Sequence, residues 1–290
     1  MALQTTVTHE AKRPKQPIGH FVRLVFPKVP QIASDALAQL EDGVTQLPVD
    51  LDTGQLGRIG TAIDYQMRIR LGCFDFETSI AFKGIESVTR VSEIHDFGQV
   101  AKSFLSKFPQ LWAKALEDES EMSRLCLCLA YFDPIYRRGP FSFGIPYKSL
   151  RKFMNWPESE ISEVLSLSRT AVDCLDIDHI GDPIGNPVFG NRILRGDGDL
   201  VVNGCLVELK VSSKPQPEIQ NWLYQLLLYV LLDHKNKYGI SSVGLLLPRQ
   251  SRFLTWGVDE LGISEMPLQL IRKGFVGAEK QHAVQCLGSC

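Results

Sequence analysis

The chain contains no run of about 18 apolar residues free of charge, so no membrane-spanning helix is expected. Its first twenty residues are polar and carry Lys12, Arg13 and Lys15, without the apolar segment of a secretory leader. Residues 1–17 are therefore expected to form a disordered tail. Cys-x-x-Cys is absent, and Cys126, Cys128, Cys205, Cys286 and Cys290 lack the four-thiolate spacing of an iron–sulfur site. Seven cysteines, an odd count, argue against a disulfide framework and for reduced, mostly buried thiols in a cytoplasmic setting. Walker A, helicase motifs and internal repeats are missing, so ATP-driven work would fall to a helicase, an ATPase or another protein subunit. A strong excess of either charge is missing too. The net charge of −2 excludes indiscriminate binding of polyanions, although local patches count for more than the sum. Arg137/Arg138, Lys148/Arg151/Lys152, Lys210/Lys214 and Arg249/Arg252 are the candidates for a basic track.

What is present fits a globular enzyme. Apolar content of 44% over 290 residues can bury a sizeable core. Residues 18–160 read as mainly helical, with segments near 32–42, 57–71, 97–118, 120–137 and 147–154. The spacing of Ile161, Val164, Leu165, Leu167, Ala171, Val172 and Leu175 predicts a helix ending near 175. From 161 to 290 the order is helix, strand, hairpin, long helix and two strands, at 240–248 and 252–256. A helix between strands suits a parallel crossover in a mixed α/β sheet.

The hairpin is the sharpest signal. Asn203-Gly204 separates two alternating apolar runs, and both residues tolerate the positive φ of a type I′ turn. That turn makes Val202 face Cys205, Val201 face Leu206, Leu200 face Val207 and Asp199 face Glu208. Opposed residues have Cβ atoms about 4.5–5.5 Å apart, where like charges repel. Period two puts Lys210 on the face of Glu208, while Leu200, Val202, Cys205, Val207 and Leu209 line the other. Paired anions on a half-buried sheet invite a divalent cation, and hard oxygen ligands suit Mg²⁺ or Mn²⁺. The bland alternative is a solvated face on which Lys210 neutralises Glu208. Asp197 stands opposite Lys210 in this register, as a salt-bridge partner.

A helix over about 217–238 follows, apolar on most faces and so expected between two layers. Gln225 and Tyr229 interrupt it at i,i+4, with Asn221 one turn earlier. Buried, both need hydrogen-bond partners, and neighbouring backbone would suffice.

In combination, Gly198-Asp199, Glu208-Leu209-Lys210 and Gln225-Leu-Leu-Leu-Tyr229 resemble the PD-(D/E)XK nuclease superfamily, in its RecB/Cas4-like branch. The motif core spans about 196–256, roughly a fifth of the chain. The resemblance implies a restriction-endonuclease-like core and a Mg²⁺- or Mn²⁺-dependent DNA nuclease. It assigns Asp199, Glu208 and the Leu209 carbonyl to the metal, Lys210 to the attacking water, and Gln225 and Tyr229 to supporting the site and the DNA.

The family's upstream His or acidic position falls on Asp64, in Gly57-Arg-Ile-Gly60-Thr-Ala-Ile-Asp64. Asp64 is thus a third expected ligand, or else a first-turn residue favoured by the helix dipole. Asp176-Ile-Asp178-His179-Ile-Gly-Asp182 is a competing cluster, whose composition also suits a turn. The expected activity is phosphodiester hydrolysis in DNA repair, phage biology or anti-phage defence. Two rivals remain open: a DNA-binding or scaffold subunit with an unused site, and a metal-independent protein whose hairpin face is an interface.

Overall fold

The computed structural model describes residues 5–41, 53–90, 95–139, 149–175, 181–191, 193–262 and 266–288. In chain order the elements are β1 Thr5–Thr6, α1 Val7–Ala11, α2 Pro17–Val25, α3 Val29–Glu41, α4 Thr53–Arg70, α5 Ile80–Thr89, α6 His95–Glu117, α7 Glu119–Arg138, α8 Leu150–Phe153 and α9 Glu158–Cys174. There follow β2 Ile184–Gly185, β3 Val188–Gly190, β4 Leu194–Asp197, β5 Leu200–Val202, β6 Cys205–Leu209, α10 Ile219–Leu232, β7 Ser242–Leu247, β8 Arg252–Gly257, α11 Val258–Leu261 and α12 Leu268–Gly288. The protein is α/β and mostly helical. Two compact units divide it: residues 1–46 with 174–290, and residues 47–173.

The first unit is built on a five-stranded mixed sheet in the order β2-β5-β6-β7-β8. Its hairpin has the expected register, with Leu200 opposite Val207, Val201 opposite Leu206 and Val202 opposite Cys205. Asn203 (φ 49°) and Gly204 (φ 73°) adopt the two left-handed conformations that a type I′ turn requires. β6 runs parallel to β7 with α10 as the crossover, and β7 turns back into β8. A second, three-stranded sheet, β1-β4-β3, flanks the first. The chain passes from β4 to β5 through Gly198 and Asp199.

α10 is the centre of this unit. Trp222 to Leu232 are all buried, in one core with Val7, Ile18, Val22, Phe26, Val201, Leu206, Val243, Leu245 and Phe275. The helix ends at Leu232, six residues short of the expected end near 238 and at the last residue of the apolar run. The Asp233 carboxylate accepts from the backbone N–H of Lys237 (2.7 Å) and Tyr238 (3.1 Å), turning the chain before Asn236 and Gly239 take positive φ.

Residues 5–17 are not a tail. Thr5 and Thr6 pair with β4, and the Thr6 hydroxyl caps α1 by accepting from His9 N. Val7 and Ala11 are fully buried beneath α10. Pro17 opens α2 at a position where its missing N–H costs nothing, and Ile18, Val22 and Val25 form its apolar stripe. Residues 18–46 thus belong with the sheet rather than with the helical region. The helical unit continues to Asp173, so α9 runs across the 160/161 boundary expected from sequence.

The second unit packs α4 and α5 on α7, with α6 alongside. Its core is aromatic: Phe97, Phe104, Phe132 and Phe153 sit within ring contact of one another. Cys126 and Cys128 are buried there, and burial pushes the Cys128 thiol up to about 12. Among the described residues no helix is long and apolar enough to cross a membrane.

Candidate active site

Six of the seven residues expected in the site, all but Asp64, meet at one end of the hairpin. Glu208 is only 4% exposed, and its side chain leaves β6 towards α10. Its Oε1 accepts from Lys210 Nζ (2.8 Å) and from Gln225 Nε2 (2.8 Å). Gln225 Nε2 also donates to the Tyr229 hydroxyl (3.0 Å), which donates to the main-chain carbonyl of Asp197 (3.0 Å). A continuous chain therefore runs from Lys210 through Glu208, Gln225 and Tyr229 to β4. The i,i+4 spacing on α10 stacks Gln225 over Tyr229, so one helix face supplies both links.

Asp199 closes the site from the other strand. Its Oδ2 accepts from the Leu209 N–H at 2.7 Å, which brings the carboxylate onto β6 between Glu208 and Lys210. Asn186 N donates to the Asp199 carbonyl (3.0 Å) and Gly198 N to the Pro187 carbonyl (2.9 Å), fixing the corner from which Asp199 projects. Gly196 is dictated by close approach. A Cβ there would lie 2.4 Å from the Tyr229 ring and 3.0 Å from Val7.

The electrostatics centre on Glu208, whose charge acts on both the Tyr229 hydroxyl and the Lys210 ammonium. Burial, reinforced by Glu208, keeps the Tyr229 hydroxyl well above its ordinary value and therefore neutral. Burial alone would lower the Lys210 ammonium. The fields of Glu208, Asp199 and Glu218, with the Glu208 hydrogen bond, outweigh it and hold Lys210 above its ordinary value. Lys210 thus goes to Glu208, where the sequence register suggested Asp197. Trp222 adds an aromatic face, its ring centroid 5.8 Å from Lys210 Nζ, and spacing alone did not single it out.

The donor set suits a hard cation. Asp199 projects from the corner between β4 and β5 and Glu208 from β6, and the Leu209 carbonyl lies between Glu208 and Lys210. Among the described residues no group of three or more His, Cys, Asp or Glu forms a metal-binding cluster, so main-chain oxygen and water would have to complete the shell.

Asp64 lies on α4 in the helical unit, where it is ion-paired with Arg68 one turn on. Asp176, Asp178 and His179 of the competing cluster lie outside the described residues, as do Lys148 and the side chains of Arg138, Cys286 and Cys290. The anticipated basic track divides: Arg151, Lys152, Lys214 and Arg252 are exposed, while Arg137 and Arg249 are committed elsewhere. Arg137 pairs with Asp133 (2.7 Å), and Arg249, 1% exposed, donates to the Val211 carbonyl (3.2 Å). No family model matches this chain, and neither a curated protein nor a solved structure matches it.

Proposed function

We propose that the chain is a Mg²⁺- or Mn²⁺-dependent deoxyribonuclease with a restriction-endonuclease-like core of the PD-(D/E)XK, RecB/Cas4-like kind. It would serve DNA repair, phage biology or anti-phage defence, with any unwinding supplied by a helicase or ATPase partner. The single observation that carries this reading is the convergence of Asp199, Glu208, Lys210, Gln225 and Tyr229 around one carboxylate-rich point.

Asp199, Glu208 and the Leu209 carbonyl would hold the metal, which when bound supplies Lewis-acid polarisation of the phosphate and acidifies a bound water. Hydrolysis forms one P–O bond from a water oxygen and breaks another to the leaving oxygen, with negative charge building on phosphorus-bound oxygens. Lys210 would serve as a positive charge and hydrogen-bond donor that positions that water and meets the developing charge. Gln225 orients Glu208, and Tyr229 orients Gln225 against the β4 backbone, so the carboxylate is pre-aimed before substrate arrives. Asp64 enters only if it exchanges Arg68 for the metal.

The test is incubation of the full chain with linear duplex, circular duplex and single-stranded DNA, each with Mg²⁺, Mn²⁺ or EDTA. Metal-dependent cleavage of at least one form is expected. Intact DNA in every metal-containing arm contradicts the reading.

A further inference from the structure

The carboxylates that would hold a cation also repel a polyanion, so a DNA-cutting site needs fixed positive charge beside it. That charge is found in the segment expected to be a tail. Between α1 and α2 the chain turns through Lys12-Arg13-Pro14-Lys15, with all four residues exposed. The backbone of this turn is not loose. Lys12 N donates to the His9 carbonyl (3.3 Å), Arg13 N to the Glu10 carbonyl (3.0 Å) and Gln16 N to the Arg13 carbonyl (3.2 Å). From behind, the Arg23 guanidinium donates to the carbonyls of Ala11 (2.7 Å) and Gly19 (2.9 Å) while lying 4.3 Å over the Tyr224 ring of α10.

The turn also lies beside the site. Lys12 Nζ pairs with Glu218 at 2.7 Å, on the residue that opens α10. Trp222, one helical turn on from Glu218, has its ring centroid 5.8 Å from Lys210 Nζ. Arg13 and Lys15 form no ion pair among the described residues, and Lys214 is exposed on the strand exit after Lys210. A hydrogen-bonded turn thus presents Arg13 and Lys15 unpaired, with Lys12 anchoring it to Glu218, beside the hairpin site.

We propose that the Lys12–Lys15 turn is the phosphate-binding lip of the hairpin site, gripping the sugar–phosphate backbone of DNA by charge and without reading sequence. Naming DNA as the polyanion rests on the deoxyribonuclease reading above. Such contacts release counterions, so each should add about one to the slope of log affinity against log salt.

The experiment measures fluorescence anisotropy of a short labelled duplex and of its single strand, with the full chain in EDTA across a salt series. The triple variant Lys12→Ala/Arg13→Ala/Lys15→Ala should bind about a hundredfold more weakly at low salt, with the slope reduced by about two. Lys12→Arg/Lys15→Arg, which keeps the charge, should bind as the wild type does. Unchanged affinity and slope in the triple variant overturns the proposal. So does failure of the wild-type chain to bind DNA, or binding to phosphatidylserine vesicles in its place. Cleavage is read separately. DNA bound but never cut with Mn²⁺ sinks the nuclease reading and leaves the lip standing. Cutting by the triple variant with the wild-type KM sinks the lip and leaves the nuclease.

Discussion

Each of the two units buries a polar network around a tyrosine, and the networks differ in what they gather. In the helical unit the Tyr65 hydroxyl donates to Asp133 (3.0 Å) and accepts from Ala81 N (3.2 Å). Asp133 pairs with Arg137 and Asp64 with Arg68, each one helical turn away, so each carboxylate has a guanidinium on its own helix. In the sheet unit Tyr229 and Gln225 lead to Glu208, which pairs with Lys210, while the Asp199 carboxylate sits on the Leu209 N–H between them. The first network joins carboxylates to guanidiniums along single helices and needs no further ligand. The second brings two carboxylates from different elements to one stretch of β6, the kind of oxygen-rich point at which a divalent ion binds.

The largest effect that tests this contrast lies at Glu208. Glu208→Gln keeps the shape and a hydrogen-bonding oxygen but removes the charge. Cleavage is expected to fall by about a thousandfold, in the range seen when one preorganised electrostatic group is lost, while circular dichroism shows an unchanged fold. A variant that nicks plasmid at the wild-type rate breaks the comparison outright.

Asp133→Ala should do the reverse. It strips the buried Tyr65 hydroxyl of its acceptor, so urea unfolding should show a loss of about 2–3 kcal/mol. Cleavage per folded molecule should stay at the wild-type rate. Asp64→Asn sharpens the contrast further. If Asp64 only balances Arg68, stability drops by about 1–2 kcal/mol, as for a buried charge left without its partner's full charge, and the dependence on Mn²⁺ is unmoved. A weaker metal response restored by high Mn²⁺ would instead move Asp64 into the metal shell.

The smallest effect concerns pH. Lys210 is held above its ordinary value of 10.5, so its ammonium contributes stability that is fully present below that pH. The contribution disappears as pH rises through the elevated folded value. Lys210→Met should therefore flatten the alkaline limb of the thermal midpoint above about pH 10.5, relative to wild type. Equal alkaline limbs in the two proteins would show that the fields of Glu208 and Asp199 do not act on Lys210 as described.

The hairpin and most of its site were legible because two local rules apply. Asn203-Gly204 sets the register of Leu200–Val202 on Cys205–Val207, but the ladder stops there: Asp199, expected opposite Glu208, lies at the corner before β5 and accepts from the Leu209 N–H instead. The i,i+4 rule placed Gln225 and Tyr229 on one helix face. Their partners were not legible, since Glu208 and the Asp197 carbonyl are brought to α10 by long-range packing. The N-terminal segment was misread for the same reason. α1 is five residues long, too short to hold without Val7 and Ala11 seated beneath α10. Its prolines and cations resemble those of a linker. The stripe of Ile18, Val22 and Val25 was readable and would have announced α2. The end of α10 coincides with the change from apolar residues to Asp233-His-Lys-Asn-Lys and was readable there; the Asp233 carboxylate then holds the turn through the Lys237 and Tyr238 N–H groups.

Whether the hairpin site takes up a divalent cation is read most directly by metal-dependent thermal unfolding. Wild type and Asp199→Asn/Glu208→Gln would be titrated with Mn²⁺ and with Mg²⁺, without DNA. The account predicts that the wild-type midpoint climbs with metal concentration as expected for a ligand of the folded state. The double variant, which lacks both carboxylates, should show a midpoint that does not move with either metal. A wild-type midpoint that ignores both ions, or an equal climb in the double variant, would contradict it.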